Sequence, residues 1–501
     1  MSAADRRIID FVDTPTRDGN QSLWSATGLT TPDVLAIAPT MDRVGYHALD
    51  FTSSTHMAVS VRFHREDPWD RLRLVSAAMP NTRLSMITTG MRFISWVPAN
   101  RDVIALAFRL AVRNGLRRMQ IADPSNDPDR LKRLATMARQ EGVEEVVIGL
   151  TYSISDVQTH QNYAEHAAAL ADSADMDRLY LKDPGGLLTP DAVRELAPHF
   201  ANAAGDRVIE LHSHCTIGLA PFVYLEGVKA GFQVVHTASG PLSRGTSQPE
   251  VVSTVRNLEA IGYEAELDLD AQKIVSDHFD GIARAKGLPP GAPREFDAVY
   301  YTHQLPGGMV TTTRRMLEEL RRPELFDAVL EEVTRVRAEM GYPILVTPVS
   351  QFVASQAARN VIDSERWVNV SDETIRYFLG HYGDPAAPVD PDVADRVLQL
   401  PQAAKLRALQ PISLEGARER FGRRISEEEL LLRLTMPEEQ VDAMVANRDR
   451  SASVSVSAPA PAVRPGRSPL VTLLGELARR PAITEFELTH NQGDTVVWRR
   501  A

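Results

Sequence analysis

Short runs of consecutive apolar residues alternate with segments whose apolar residues recur every three or four positions, from the start of the chain to about residue 270. The first pattern predicts buried strands and the second predicts amphipathic helices. Eight strands are predicted, and helical segments such as "DVIALAFRLAVRNG" lie between them. The predicted strands span residues 8–12, 47–51, 84–88, 119–121, 145–150, 179–181, 208–211 and 233–236. Eight strand–helix units of this size predict an α/β fold, the (β/α)8 or TIM barrel.

A polar residue stands at or shortly after almost every predicted strand's carboxyl end, where barrels of this kind carry their catalytic groups. An alternating apolar pattern does not require this, so the sequence predicts a polar cup at one barrel face. Asp50 is a candidate substrate-binding residue in that cup. The end residues are Asp13, Asp50, Thr88, Asp123, Thr151, Lys182, His212 and Thr237.

The remainder of the chain divides into three further regions after a barrel over residues 1–275. Residues 276–445 are predicted to form a mostly α-helical domain that completes the site. Residues 446–468 are rich in Ser, Ala and Pro and predict a mobile linker. Residues 469–501 predict a short amphipathic helix and a small hairpin, "ITEFELTH-NQGD-TVVWRR". A linker followed by a small folded segment indicates a tethered docking tail.

Composition narrows the classes of function. The 501 residues are 43% hydrophobic and 24% charged, the ordinary balance of a soluble globular protein. A net charge of -11 argues against general nucleic-acid binding, so small molecules or proteins are the expected partners. No stretch is long enough for a membrane span. The single cysteine, Cys215, excludes an intrachain disulfide and a CxxC zinc site and fits a reducing cytoplasm.

Three residues form a candidate metal site. "HSH" places His212 and His214 at i and i+2, on one face of a strand end. Asp18, in the loop after the first strand, would add an oxygen ligand if the barrel closes strand one against strand eight. This set suits a divalent transition metal with open positions. A pair of hydrogen-bonded structural histidines is the alternative.

Lys182 is a cation close to these expected ligands. Burial and a metal would lower its pKa, and a neutral amine can react with carbon dioxide to give an anionic carbamate with two oxygen donors. A salt bridge with the adjacent Asp183 is the alternative interpretation of the same residues.

Several ordered motifs resemble those of the biotin-dependent carboxyltransferases. They are "DTPTRDGNQSLW", "LKDPGGLLTP", "LHSHCTIGLAPFVYLEGVKAG", "GPLSRGTSQPE", "THQLPGGM" and "MGYPILVTPVSQFVASQAARNVI", and the resemblance covers roughly residues 8 to 445. It implies a carboxyltransferase subunit that moves a carboxyl group between carboxybiotin and an enolisable acceptor. It also implies partner chains, a biotin carboxyl carrier protein and a biotin carboxylase, and a homodimer in the cytoplasm.

The resemblance assigns roles to individual residues. It implies a zinc or manganese ion held by Asp18, His212, His214 and a carbamylated Lys182. It also implies that Arg17 and Gln21 hold the substrate and its enolate, and that Thr246 relays a proton between substrate and biotin.

The sequence departs from the family pattern where the acceptor binds. "TGMRFISW" replaces the "RGANGVGY" of pyruvate-using relatives, so Thr89 stands where an arginine holds the pyruvate carboxylate. Arg92 and Trp96 replace an asparagine and a tyrosine of the same motif. We therefore expect an acceptor other than pyruvate, with Thr89, Arg92 and Trp96 as candidate binding residues.

Two alternatives remain at the level of the sequence. A metal-dependent lyase or condensing enzyme of the same barrel superfamily would share "RDGxQ" and "HxH", although it needs neither the carbamate nor "GTSQP". A degenerate scaffold subunit would keep the fold without the activity.

Overall fold

The computed structural model describes residues 7–89, 92–94, 99–363, 365–409, 413–452, 485–489 and 495–499. Residues up to Val441 form one compact unit, and those from Asp442 onward form a second. Trp96, most of the predicted linker and the predicted tail helix lie outside the described residues. Across the described ranges, no helix combines the length and apolar character that a membrane crossing needs.

Eight parallel strands close into a barrel, which confirms the predicted fold. Each strand pairs with the next in chain order, and the last pairs with the first. Every predicted strand is present, with bounds shifted by at most two residues. The strands are β1 Asp10–Asp13, β2 Ala48–Ser53, β3 Arg83–Thr88, β4 Arg118–Ala122, β5 Glu145–Thr151, β6 Arg178–Asp183, β7 Val208–Ser213 and β8 Val234–Thr237. Outside the barrel, Arg7–Ile8 pairs in parallel with Tyr263–Glu264.

Helices follow the strands around the barrel, and their starts carry ordinary capping signals. The Thr189 hydroxyl accepts a hydrogen bond from the Ala192 amide at 3.0 Å, and Pro190 occupies the first turn, so α9 begins where "LLTP" ends. The helices are α1 Asn20–Trp24, α2 Thr31–Leu35, α3 Ala38–Met41, α4 Ser54–Val59, α5 Pro68–Ala78, α6 Arg101–Arg113, α7 Pro128–Gln140, α8 His160–Leu170, α9 Pro190–Ala204, α10 Ala220–Lys229, α11 Val251–Ala260 and α12 Leu269–Lys286.

The following region is helical and has its own apolar core, which includes Leu317, Val329, Val333 and Val353. As far as Val441, it belongs to the same compact unit as the barrel. Its helices are α13 Tyr300–His303, α14 Gly307–Glu319, α15 Phe326–Glu339, α16 Val349–Ile362, α17 Asp372–Phe378, α18 Pro391–Leu398, α19 Pro401–Ala408, α20 Leu414–Phe421, α21 Glu427–Thr435 and α22 Glu438–Ala452.

The last of these helices extends past residue 445, although the sequence predicts that the linker starts at 446. Nothing between residues 438 and 452 stops a helix, because this stretch contains neither proline nor glycine. Within the second unit, strand β9 Glu485–Thr489 pairs with β10 Thr495–Arg499 in antiparallel register, as the hairpin pattern predicts.

The barrel interior contains charged side chains. Arg118 on β4 donates hydrogen bonds to Glu210 on β7, and these strands are not neighbours, so the ion pair crosses the lumen. Both side chains are fully buried. Burial alone would raise the pKa of Glu210, but Arg118 and His236 bring it well below its usual range. The lumen therefore carries an ionised column that reaches towards the carboxyl ends of the strands.

Candidate active site

Asp18 lies on a five-residue π-helical turn, Pro15–Gly19, which follows β1 and carries Arg17 as well. Such turns are rare and occur frequently at functional sites. A Cβ at Gly19 would lie 2.6 Å from the Leu242 carbonyl oxygen, so glycine lets this turn approach the loop after β8. The turn holds two buried charged side chains at the barrel mouth.

His214 presents a lone pair to the site. Its Nδ1 lies 2.7 Å from the Thr246 carbonyl oxygen, which can only accept, so Nδ1 carries the proton and donates. Its Nε2 is the ring nitrogen that faces the site, 3.4 Å from Asp18 Oδ2.

His212 is held in the same tautomer through two further groups. Its Nδ1 lies 3.1 Å from His236 Nδ1, and His236 Nε2 lies 2.9 Å from the ionised carboxylate of Glu210. His236 therefore donates to Glu210 and accepts from His212. Burial lowers the pKa of both imidazoles, which keeps them neutral. The Nε2 lone pair of His212 thus also faces Asp18 Oδ2, at 3.3 Å.

Three candidate ligand atoms converge in this way: Asp18 Oδ2, His212 Nε2 and His214 Nε2. Asp18 Oδ2 is buried and lies 3.0 Å from a terminal nitrogen of Arg17. Burial opposes ionisation of Asp18, but Arg17 beside it holds its pKa well below the usual range. Ligands about 2.0–2.2 Å from one ion lie at most about 4.4 Å apart. The donor set fits a divalent cation.

Lys182, at the end of β6, lies beside these atoms. Its Nζ is 3.7 Å from Asp18 Oδ2 and 3.5 Å from His212 Nε2. Burial lowers the pKa of the amine to about 8. Asp183 points elsewhere: it accepts hydrogen bonds from the Leu187 and Leu188 amides at 2.8 and 2.9 Å. The acidic partner nearest Lys182 is therefore Asp18 and not its neighbour in sequence.

The turn after Lys182 requires glycine at one position. Gly186 has φ +69°, and a Cβ there would lie 2.5 Å from the His214 carbonyl oxygen. The "KDPGG" turn thus approaches the backbone of the second histidine.

Arg17 joins two carboxylates. Its guanidinium donates to Asp50 Oδ2, with the Nε contact at 2.7 Å, and one of its terminal nitrogens lies 3.0 Å from Asp18 Oδ2. Asp50 is fully buried on β2. The pair fixes the guanidinium at the edge of the ligand cluster, where it can stabilise developing negative charge.

Thr246 lies on the other side of the cluster and is held from both regions of the chain. Its hydroxyl donates to the Ser22 carbonyl at 2.9 Å, and the Ser22 hydroxyl lies 3.4 Å from Asp18 Oδ1. Gly307, the first residue of α14, packs directly on it: a Cβ at 307 would lie 2.0 Å from Thr246 Cγ2. The "PGGM" segment of the helical region therefore supports the Thr246 side chain.

Known proteins resemble this chain over most of its length. Family models described as HMGL-like and as a conserved carboxylase domain match residues 8–277 and 300–497, so the likeness extends beyond residue 445. A pyruvate carboxylase subunit of Methanocaldococcus jannaschii is 36% identical over 392 residues, covering 78% of this chain and 68% of its own. The chain belongs to the biotin-dependent carboxyltransferase family.

Other proteins of this kind match the chain over a similar length. The 2-oxoglutarate carboxylase large subunit of Hydrogenobacter thermophilus is 29% identical, and the match covers 88% of this chain and 69% of its own. The carboxyl transferase domain of Rhizobium etli pyruvate carboxylase, solved with pyruvate and biocytin, has a TM-score of 0.77 at 23% identity. That match covers 89% of this chain and 78% of the Rhizobium chain, so the two share the same fold.

Three of the other predicted site residues have described positions. Gln21 is half-buried on α1, and Thr89 directly follows β3. Arg92 is buried and stacks on Tyr382 of the helical region, with its guanidinium carbon 4.3 Å from the ring centroid. Trp96 has no described position.

Sequence reasoning missed three residues that hold the site. Ser22 and Gly307 support Thr246, and His236 fixes the tautomer of His212. Ser22 lies four positions after Asp18, on the same face of the turn, so helical spacing was a usable signal. The contacts of the other two span long stretches of chain and leave no local pattern.

Proposed function

We propose that this chain is the carboxyltransferase subunit of a biotin-dependent carboxylase or decarboxylase. It exchanges a carboxyl group between carboxybiotin on a partner carrier and an enolisable acceptor other than pyruvate. The observation that carries the proposal is the convergence of Asp18, His212 and His214 lone pairs beside Lys182, with the Thr246 hydroxyl nearby.

Partner chains are part of the proposal and are supported by the relatives. The pyruvate carboxylase and 2-oxoglutarate carboxylase chains that resemble this one are each one subunit of an enzyme. We infer a separate biotin carboxyl carrier protein, a biotin carboxylase subunit and a homodimer of this chain. A cytoplasmic location is also proposed and is supported by the single, buried Cys215.

Thr246 is the proposed proton carrier. Carboxybiotin loses carbon dioxide, and its ring nitrogen takes the proton of the Thr246 hydroxyl. The same oxygen then receives the α-proton of the acceptor, so the hydroxyl is regenerated and an enolate is left to attack the carbon dioxide. The Ser22 carbonyl, 2.9 Å from the hydroxyl oxygen, holds that group in place between transfers.

Arg17 is the proposed stabiliser of the enolate oxygen. Its guanidinium is buried and fixed by Asp50, so little reorganisation is needed when negative charge develops. A zinc or manganese ion held by Asp18, His212 and His214 would act as a Lewis acid towards the same oxygen. Gln21, on the adjacent helix, is proposed to contact the substrate.

Lys182 is proposed to be carbamylated. A free ammonium would place a third cation beside Arg17 and the metal, which is electrostatically unfavourable. Addition of carbon dioxide to the neutral amine releases one proton and gives a carboxylated nitrogen with two oxygen donors. Its position 3.7 Å from Asp18 Oδ2 lets those oxygens reach the same ion.

Acceptor selection is proposed to involve Arg92, because Thr89 lacks the guanidinium that binds the pyruvate carboxylate in the family pattern. Arg92 Nε and Nη1 are buried and have no hydrogen-bond partner among the described residues. Burial lowers the pKa of Arg92 to about 10, so it remains a cation at neutral pH. We propose that these nitrogens bind a carboxylate of the acceptor, with Thr89, Trp96 and Asp50 around it.

The reaction class is tested with Thr246→Ala and Thr246→Ser in a carboxyl-exchange assay that uses the native biotinylated carrier. Loss of a positioned proton carrier costs about 10²–10⁴-fold in rate, so Thr246→Ala should lose this factor while keeping its metal content. Thr246→Ser keeps a hydroxyl and should retain much of the rate. Turnover without any biotinylated carrier would support a lyase or condensing enzyme, and a metal-free wild-type protein without activity would support a scaffold.

The acceptor is identified with a panel of pyruvate, 2-oxoglutarate, other 2-oxo acids and acyl thioesters. Arg92→Lys and Arg92→Ala should raise KM for the preferred acid, with the lysine variant less affected, because it keeps a point charge but loses the bidentate contact. Equal KM values for the wild type, Arg92→Lys and Arg92→Ala would show that Arg92 does not bind the acceptor.

A further inference from the structure

Arg92 is a buried cation at the junction of the barrel and the helical region, and part of its hydrogen-bonding capacity is unused. Its Nε and Nη1 are buried and have no hydrogen-bond partner among the described residues. The ring of Tyr382 covers one face of the guanidinium. A buried charged donor without an acceptor is unfavourable, so these nitrogens indicate an anionic ligand that the described residues do not supply.

A second guanidinium, that of Arg130, lies near the first. Burial lowers the pKa of Arg92, and of the neighbouring charges Asp123 raises it and Arg130 lowers it. Arg130 Nη1 lies 3.4 Å from Asp123 Oδ2, and Asp123 Oδ1 accepts a hydrogen bond from the Ser125 amide at 2.8 Å. Among the described residues, the arginine pair Arg92 and Arg130 therefore shares one carboxylate, which leaves one positive charge to be balanced by a ligand.

Arg130 is held in a place where helix formation alone does not favour a cation. It lies in the first turn of α7, beside the partial positive charge of the helix N-terminus. Gly383 has φ +96°, and a Cβ there would lie 2.4 Å from Arg130 Nη1. A side chain at position 383 would displace the guanidinium, so the helical region approaches Arg130 through a glycine. Binding of an anion accounts for a cation at this position.

The arginine pair lies apart from the ligand cluster. Asp123 directly follows β4, whereas the cluster is built on the turn after β1 and at the ends of β6 and β7. Strand β5 separates β4 from β6, and adjacent strands lie about 4.8 Å apart, so the ends of β4 and β6 are about 9 Å apart. In pyruvate the carboxylate is bonded directly to the carbonyl carbon. An acid that reacts at the cluster can reach the arginine pair only if a spacer separates that carboxylate from the reacting carbon.

We propose that Arg92 and Arg130 form a distal subsite, and that the acceptor is an acid with a carboxylate several bonds away from its enolisable carbon. The longer 2-oxo dicarboxylic acids belong to this class. The proposal rests on the proposed function for the reacting end of the acceptor, and it adds Arg130 to the residues that select the acceptor. It also accounts for Thr89, because the cation that binds the carboxylate is placed at the distal subsite instead.

The first test compares two acids of equal length in the carrier-dependent exchange assay with the full-length chain. 2-Oxoglutarate carries a distal carboxylate where 2-oxovalerate has a methyl group, and the two are otherwise alike. The wild type should have a KM about tenfold or more lower for 2-oxoglutarate, because only this acid can make charge-assisted hydrogen bonds to the arginine pair. Equal KM values for the two acids would overturn the proposal.

The second test locates this preference at Arg130. Arg130→Gln should raise KM for 2-oxoglutarate by about tenfold and leave KM for 2-oxovalerate and kcat unchanged. Arg130→Lys keeps a cation and should retain most of the preference. Arg133→Gln is the matched control, since it makes the same change one turn later on α7 at an exposed position. An unchanged KM in folded Arg130→Gln, or an equal rise for both acids, would overturn the proposal.

Failure of the proposed function is measured separately. Calorimetric titration of the full-length chain with 2-oxoglutarate, in the presence of Mn²⁺, gives Kd without a carrier and without turnover. A wild type that shows no carrier-dependent exchange would refute the proposed function. In that case, weaker binding of 2-oxoglutarate by Arg130→Gln than by Arg133→Gln would still support the distal subsite, and equal Kd values or no binding would overturn it.

Discussion

Replacing Gly307 by alanine tests whether the helical region positions Thr246. The new Cβ would lie 2.0 Å from Thr246 Cγ2 and 2.8 Å from its Cβ. Carbon atoms in contact ordinarily lie about 3.5–4.0 Å apart. Either the threonine or the start of α14 must therefore move by roughly 1.5 Å.

The expected losses differ in size for stability and activity. Overpacking of this kind costs about 1–3 kcal/mol of unfolding free energy, and the better helix propensity of alanine returns at most about 1 kcal/mol. A displacement of about 1 Å at a reacting group can lower turnover by about 100-fold. Gly307→Ala should thus remain folded and lose about two orders of magnitude in kcat.

The assay is carrier-dependent carboxyl exchange, measured together with thermal unfolding. Gly308→Ala is the matched control because it makes the same change one residue later, where the nearest atom to the new Cβ is the Ser22 carbonyl oxygen at 4.0 Å. Wild-type kcat in Gly307→Ala, or equal losses in the two variants, would refute the proposed support of Thr246.

Three further outcomes are expected. Metal chelation should abolish carboxyl exchange and lower Tm, and added Mn²⁺ should restore both. An ion present at 100 times its Kd adds about 2.7 kcal/mol to the free energy of unfolding, and calorimetry measures the resulting shift in Tm. Gly186→Ala should weaken metal binding, because the new Cβ would lie 2.5 Å from the His214 carbonyl oxygen. Gly287→Ala should leave metal binding unchanged, because Gly287 also has a positive φ but a Cβ there would have no atom within 4 Å. Arg118→Met should cost about 3–5 kcal/mol at pH 7 in urea melts because Glu210 stays buried without the guanidinium that pairs with it across the lumen. The pKa of Glu210 is depressed in the folded state, so its stabilising effect is present above the unfolded value of about 4.3 and is lost as the pH falls towards the folded value.

The barrel could be predicted because each strand is encoded locally. Runs such as "EVVIGL" and "RLYL" are short, β-rich and separated by helical spacing, and all eight formed strands. The end of the helical region could not be placed as well. The Ser-, Ala- and Pro-rich composition predicted a linker from 446, but the first residues of that stretch contain no proline or glycine and continue the helix, so α22 runs to Ala452.

The ligand cluster was predictable in part. The spacing of His212 and His214 and the order of the motifs pointed to Asp18 and Lys182, and the structure brings all four together. His236 could not be recognised in the same way, because its contact with His212 joins two different strands and no local pattern contains that information.

The charged column inside the barrel has a consequence for how this chain can vary. Glu210 bonds to both Arg118 and His236 in a fully buried space, and His236 in turn orients His212. A change at one of these positions leaves a buried charge without its partner or frees the His212 ring to change its orientation. In an alignment of near relatives these positions should therefore covary, with two or three substitutions appearing together, while the apolar positions of the same strands drift independently.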